Sequence, residues 1–240
     1  LSFGLPGDPA LGPPAFMHRT SSSSNPDAPL GHHVQDSTHI TFGVLTGGVR
    51  YKRFKFDASV FTGREPDENR LDLDRPRFDS WSARLSLNPS DHVALQVSHG
   101  FLHSPEALEP DTDVRRTTAS LMMSRPLSAG NDWTTILVWG ANTAPESPAT
   151  HSLLADSEAR FGRASVYARI EFVQRQAHDL DLDELADRLL PVGAMTAGAA
   201  WRLGEERGLQ FHAGAQATIY HVVDELASVY GKRPFSVEVY

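Results

Sequence analysis

The chain contains no cysteine, which rules out a disulfide framework and a thiolate metal site and leaves its compartment open. It also has no run of about 18 apolar residues, so no membrane-crossing helix is encoded. A membrane barrel escapes that test, because alternating strands hide in a hydropathy average, here −0.33. Positive charge is in short supply. Twenty-two Lys and Arg face thirty Asp and Glu, for a formal net charge of −8, which argues against nucleic acid as a partner. No basic segment followed by an apolar stretch opens the chain, so no signal peptide is visible. Residue 1 is Leu, and Phe235–Tyr240 stops in mid-alternation; the expectation is a fragment or processed chain. Catalytic signatures are missing as well: there is no G-x-S-x-G, P-loop, H-E-x-x-H or G-x-G-x-x-G. Ser104 next to His103 is adjacency alone, since a nucleophile needs a base in reach and a third orienting group. The expectation is a protein that is not an enzyme.

What the 240 residues do contain is alternation. Period-2 segments bounded by turn residues predict strands at 38–51, 54–63, 79–88, 92–102, 116–125, 132–142, 152–162, 165–175, 192–203, 208–221 and 234–240. Leu1–Leu5 reads as the tail of one more. Tight connections at 51–53, 88–91, 126–131, 162–164 and 204–207 alternate with long ones at 64–78, 103–115, 143–151, 176–191 and 222–233. In an up-and-down meander the long loops then gather at one end of the sheet and the tight turns at the other, as in outer-membrane barrels. Most predicted strands have the roughly 9–11 residues a tilted membrane strand needs.

The faces agree. In 79–88, Trp81, Ala83, Leu85 and Leu87 oppose Ser80, Ser82, Arg84 and Ser86. In 165–175, Val166, Ala168, Ile170 and Phe172 oppose Tyr167, Arg169, Glu171 and Arg175. The pattern weakens in 132–142, where Ile136 and Val138 fall on the polar face, and in the Gly-rich 38–51. All four tryptophans lie on apolar faces near predicted strand ends, Trp81 and Trp139 toward the long loops and Trp133 and Trp201 toward the tight turns. Membrane-interface aromatics sit in two such girdles. A soluble β-sandwich, with its greasy faces packed inward, is the competing architecture. The expectation is an all-β, antiparallel up-and-down transmembrane barrel, incomplete, with at least eleven strands in one domain over 1–240 and a long polar segment at 6–37.

Several stretches also carry a resemblance: GDPALGPPAFMHR (7–19), APLGHH (28–33), THITFGV (38–44), GREPDENR (63–70), SPEALEP (104–110) and YGKRPFSVEVY (230–240). Together they resemble a family of uncharacterised, predicted outer-membrane β-barrel proteins of Gram-negative bacteria. The resemblance spans nearly the whole chain. It implies an outer-membrane location, a signal peptide and further strands on the N-terminal side, and a few residues beyond the last strand. It implies no catalytic residues.

Three groups are candidates for chemistry. His18, His32, His33 and His39, with Met17, cluster around 6–37, and imidazole and thioether suit copper, zinc or nickel. Their spacing matches no standard zinc pattern, and histidines that simply bond backbone or face water are the alternative. Acidic loops come second. Asp179, Asp181, Asp183, Glu184 and Asp187 sit in 176–191, and Glu106, Glu109, Asp111 and Asp113 in 103–115. An EF-hand is excluded, because Glu184 stands where Gly is required and Leu190 where Glu is required. A solvated rim, with a short helix at 181–190, is expected instead; divalent ions could link it to lipopolysaccharide. The third group is the polar-face charges, Lys55, Asp57, Arg84, Arg169 and Glu171 above all. They read either as channel-lining groups or as pairs that rigidify a filled interior. The leading functional expectation is porin-like passage of small polar solutes or ions. The alternatives are a copper- or zinc-binding protein using the His-bearing segment, with no other cofactor, and a plugged structural barrel. Outer-membrane lipid and lipopolysaccharide are the expected partners.

Overall fold

The structure is a computed structural model and describes residues 1–39, 42–67, 69, 74–107, 109–145, 147–177, 180, 182 and 188–240. It is all-β. Twelve strands form one antiparallel up-and-down sheet in sequence order. They are β1 (Ser2–Pro6), β2 (Phe42–Tyr51), β3 (Phe54–Phe61), β4 (Ser80–Ser90), β5 (Val93–Leu102), β6 (Val114–Ser128), β7 (Asn131–Thr143), β8 (Thr150–Phe161), β9 (Ala164–Gln176), β10 (Leu189–Glu206), β11 (Leu209–Val222) and β12 (Phe235–Val239). The sheet is open, with β1 and β12 as its edges, which is consistent with an incomplete barrel. Leu1–Leu5 does announce a strand: β1 pairs with β2, Phe3 opposite Leu45.

The tight turns have local causes. Lys52 (φ 53°) and Gly162 (φ 60°) at the first loop position, and Arg207 (φ 52°) with Gly208 (φ 81°) at both, adopt the left-handed conformation that primed hairpin turns require, and Gly130 (φ 78°) takes it at the second position of its loop. Several strands differ from their expected bounds: β6 runs on to Ser128, β10 spans Leu189–Glu206, and β3 stops at Phe61. β4 continues through Asn88 and Pro89 to Ser90, so the turn is the pair Asp91-His92. Pairing with β5 shifts register between Leu87 and Ser90, where Pro89 offers no N–H to the ladder. A second irregularity lies between Arg202 and Gly204 in β10. The helix expected at 181–190 falls largely outside the described residues; Leu189 and Leu190 already belong to β10.

Two compact units make up the chain. The first is Leu1–Phe16, His32–Leu121 and Val138–Ser152; the second is Met17–Gly31, Met122–Leu137 and Leu153–Tyr240. In both, the usual distribution of side chains is inverted. In the first, Trp81 is 48% and Leu85 46% exposed, while Asp57, on the opposite face, is 3% exposed. In the second, Ile170 is 53% exposed while its neighbours Arg169 and Glu171 are buried. Apolar side chains lie on the bare face of the sheet and polar ones on the covered face. That is the reverse of a sandwich, whose greasy faces would pack together.

Among the described residues, two small hydrophobic clusters are buried. Leu11, Val44, Phe61 and Leu102, joined by Val114, form one at the long-loop ends of β2, β3, β5 and β6. Ala177, Leu190 and Leu226, with Val192 and Val222, form another beside β10 and β11. Leu226 ends a 3-10 turn (Asp224–Leu226) that leads into a four-residue helix, Ala227–Tyr230.

Candidate functional site

The polar face is covered by the segment that precedes β2. In the first unit, Ala10 and Leu11 are fully buried. The Ala10 amide donates to Ser59 Oγ at 2.8 Å and the Gly12 amide to Ser98 Oγ at 2.7 Å. Arg84 Nη1 donates to the Gly12 carbonyl at 3.0 Å. Further along, a one-turn helix, α1 (His32–Gln35), lies over β7. Gly140 makes the room: a Cβ there would run into the Val34 carbonyl. Asn142 Nδ2 donates to the His33 carbonyl at 3.1 Å, and buried Arg116 donates to the Asp36 carbonyl at 2.6 Å and to Asn142 Oδ1 at 2.9 Å.

The second unit repeats this arrangement with its own part of the segment. Glu158 accepts from the Ser24 amide and from the Ser23 hydroxyl, both at 2.9 Å. Glu171 accepts from the Leu30 amide at 2.6 Å. Arg169 donates to the Asp27 carbonyl at 2.8 Å and pairs with buried Asp156 at 3.3 Å. Arg175 donates to the Leu30 carbonyl at 2.6 Å, and the Tyr240 hydroxyl to the Ser24 carbonyl at 2.5 Å. Alternation alone puts these side chains on one face. Their charge then lets each bond a backbone group of the segment, with charge-assisted bonds stronger than neutral ones.

The expected lining residues therefore divide. Arg84, Arg169 and Glu171 hold the segment. Asp57 lies directly opposite Arg84 across β3 and β4, 3.7 Å from its guanidinium, and pairs with Lys55 at 2.9 Å. Lys55 itself is half-exposed. A cavity of about 410 Å³ with a mixed lining remains in the second unit, bounded by Ser24, Glu158, Arg160, His212 and Tyr240 among others. A mainly apolar one of about 400 Å³ is lined by Val173, Leu180, Val192, Tyr220 and Tyr230 among others.

The histidines come together in the first unit. Ring centroids are 4.3 Å apart for His32 and His33, 5.1 Å for His33 and His39, and 5.5 Å for His32 and His39. One nitrogen from each lies within 4.8 Å of the others. His33 Nδ1 also faces two carboxylates, Glu106 Oε1 at 3.1 Å and Glu65 Oε1 at 3.5 Å. The loops bearing these carboxylates are tied together. The Glu65 amide donates to the Pro105 carbonyl at 3.0 Å, and Arg64 Nε to the Ser104 carbonyl at 2.7 Å. His39 (φ 70°) and Ser104 (φ 47°) are both held in left-handed backbone. Burial, and then His33, push the His39 imidazole below its ordinary pKa, against the opposing pull of Glu106 and Asp36. Burial, and then Glu106, push the Glu65 carboxyl above its own.

His18 is exposed on a 3-10 turn (Phe16–His18) of the second unit, as is its neighbour Met17. Sequence reasoning names Glu106 only as part of an acidic rim and does not single out Glu65, and it joins neither to the histidines. Both carboxylates stand in different loops from the histidines, and no spacing rule joins them. In the other acidic loop, Asp179, Asp181, Asp183, Glu184 and Asp187 lie outside the described residues; Arg188 beside it pairs with Glu225 at 2.6 Å.

No protein-family model, curated protein or solved structure matches this chain. Trp81, Trp133 and Trp201 are exposed on the apolar face; Trp139 is half-buried and stacks on His151 with centroids 6.1 Å apart.

Proposed function

We propose that this protein is a bacterial outer-membrane β-barrel whose lumen is stoppered by its own segment 7–38. The observation that carries this reading is the inversion itself. Arg169 and Glu171 are buried and Arg84 is half-buried against the backbone of that segment, while Trp81, Leu85, Val166, Ile170, Phe211 and Ile219 stand exposed on the other face. Burying one such apolar side chain fully is worth about 1.5–3 kcal/mol. A face carrying many of them is therefore costly in water and at home in hydrocarbon. In lipid every backbone polar group must be paired within the protein, which further strands closing β1 to β12 would achieve.

The resemblance to predicted outer-membrane barrels supports the same reading, as do strands such as β5 with 10 residues and β4 with 11. Arg84, Arg169 and Glu171 then act as clamps on the stopper. Passive, porin-like passage is the second reading, and the cavity bordered by the charged side chains Glu158 and Arg160 favours it. No enzyme activity is proposed.

Reconstitution into planar bilayers tests the stopper. The intact chain is expected to give no steady conductance, and deletion of residues 8–37 to give defined steps. Open, steady conductance of the intact chain would overturn the stopper and restore the porin reading. Migration on a denaturing gel that does not change with heating would overturn the barrel.

A further inference from the structure

We propose that His32, His33 and His39 form a binding site for a divalent transition-metal ion of the zinc and copper class, with Glu65 and Glu106 as its carboxylate partners.

The donor chemistry selects the ion. Three imidazole nitrogens disfavour calcium and magnesium, which take oxygen ligands, and suit copper, zinc and nickel. Their nitrogens already lie within 4.8 Å of one another. Four ligands at about 2.0–2.1 Å around zinc are separated by roughly 3.3 Å. The remaining difference, at most about 1.5 Å, is within the reach of side-chain rotation.

The carboxylates define the tautomer. A ligating histidine characteristically gives its other ring N–H to a carboxylate. Glu106, 3.1 Å from His33 Nδ1, stands in that position, and Glu65 at 3.5 Å is a second acceptor for the same nitrogen. With Nδ1–H donated there, the lone pair on Nε2 of His33 is the one free to bind metal. His33, Glu65 and Glu106 also have their own donor atoms within 4.8 Å of one another. Both carboxylates therefore stand behind His33, on its Nδ1 side. Two carboxylates beside the three imidazoles give the site a charge that suits a dication.

The scaffold is preorganised. His32 and His33 share α1, whose backbone is held by Asn142 and whose approach depends on the missing side chain at Gly140. The loops carrying Glu65 and Glu106 are bonded to each other through Pro105 and Ser104. A site assembled before the ion arrives has less conformational freedom to lose on binding. All of these residues lie at the long-loop end of β2, β3, β5 and β7. In an outer-membrane barrel that end faces the exterior, so the site would take its ion from outside the cell. The site itself does not depend on that orientation.

The test uses the full chain without an affinity tag, stripped with chelator in detergent, and titrated calorimetrically with zinc chloride and separately with copper(II) chloride. One ion per chain is expected. His33→Ala and His39→Ala should each weaken binding at least 100-fold. Glu106→Gln should weaken it about 10- to 100-fold, the usual consequence of losing a carboxylate behind a ligating histidine. His18→Ala and His151→Ala should leave it unchanged. Copper bound to the wild type should show the electron-paramagnetic signature of several equatorial nitrogens. Heat-dependent gel migration of each variant separates lost ligands from lost fold. Should an alanine variant fail to fold, the conservative Glu106→Gln decides. Titrations of wild type and Glu106→Gln that coincide, or a wild type that binds neither ion, would overturn the site. Neither result bears on the barrel.

Discussion

Replacing Arg169 by Met isolates the clamp between wall and segment. Arg169 is 1% exposed and Asp156 is fully buried, so neither charge has water to fall back on. The guanidinium also donates to the Asp27 carbonyl at 2.8 Å. Met keeps the length and loses both bonds. Breaking a buried pair by removing one partner costs about 3–5 kcal/mol, and the Ser22 hydrogen bond and nearby Arg19 charge that Asp156 keeps put this case at the lower end. Unfolding in detergent, followed by tryptophan fluorescence against urea, reads that cost as a shift in midpoint. With a slope of about 3 kcal/mol per M, the midpoint should fall by about 1 M. The comparison is Arg160→Met. Arg160 meets Asp132 at 2.7 Å, closer than the Arg169 pair, but the two side chains are 41% and 29% exposed. A pair that wet is worth at most about 1 kcal/mol, so its shift should stay below about 0.3 M. Equal shifts for the two variants would refute the view that burial, rather than distance, sets the strength of these pairs.

Gly140→Val should push α1 off β7, at a cost of about 1–3 kcal/mol for overpacking, and expose 32–39 to protease within an otherwise intact, heat-modifiable protein. Single-tryptophan variants retaining Trp81, Trp133 or Trp201 should be quenched most by lipids labelled near the headgroup; strongest quenching from the acyl terminus would remove the girdles. Because the folded state holds the His39 imidazole below its ordinary value of 6.5, the unfolded chain binds more protons just under that pH. In chelator-treated protein, stability should therefore fall as pH drops through about 6.5 and on to the lower folded value, and His39→Asn should abolish that component. A denaturation midpoint with the same pH profile in both proteins would count against it.

The sequence by itself determined the strands and their faces. Side chains alternate across a strand whatever surrounds it, so Trp81–Leu87 and Val166–Phe172 disclose one apolar face and one polar face before any coordinates exist. Turn residues placed the hairpins for the same local reason, and the error at Pro89 is local too, a bulge that keeps β4 going where a turn is expected. Alternation cannot say which face is covered. Tertiary structure decided that, by laying the segment before β2 along the polar face, where Arg84, Arg169 and Glu171 bond its backbone. Ile136 and Val138, out of step in the pattern, are buried on that covered face. Tertiary structure also joined His33 to Glu65 and Glu106, since contacts between loops far apart in the chain follow no period and leave no trace in spacing.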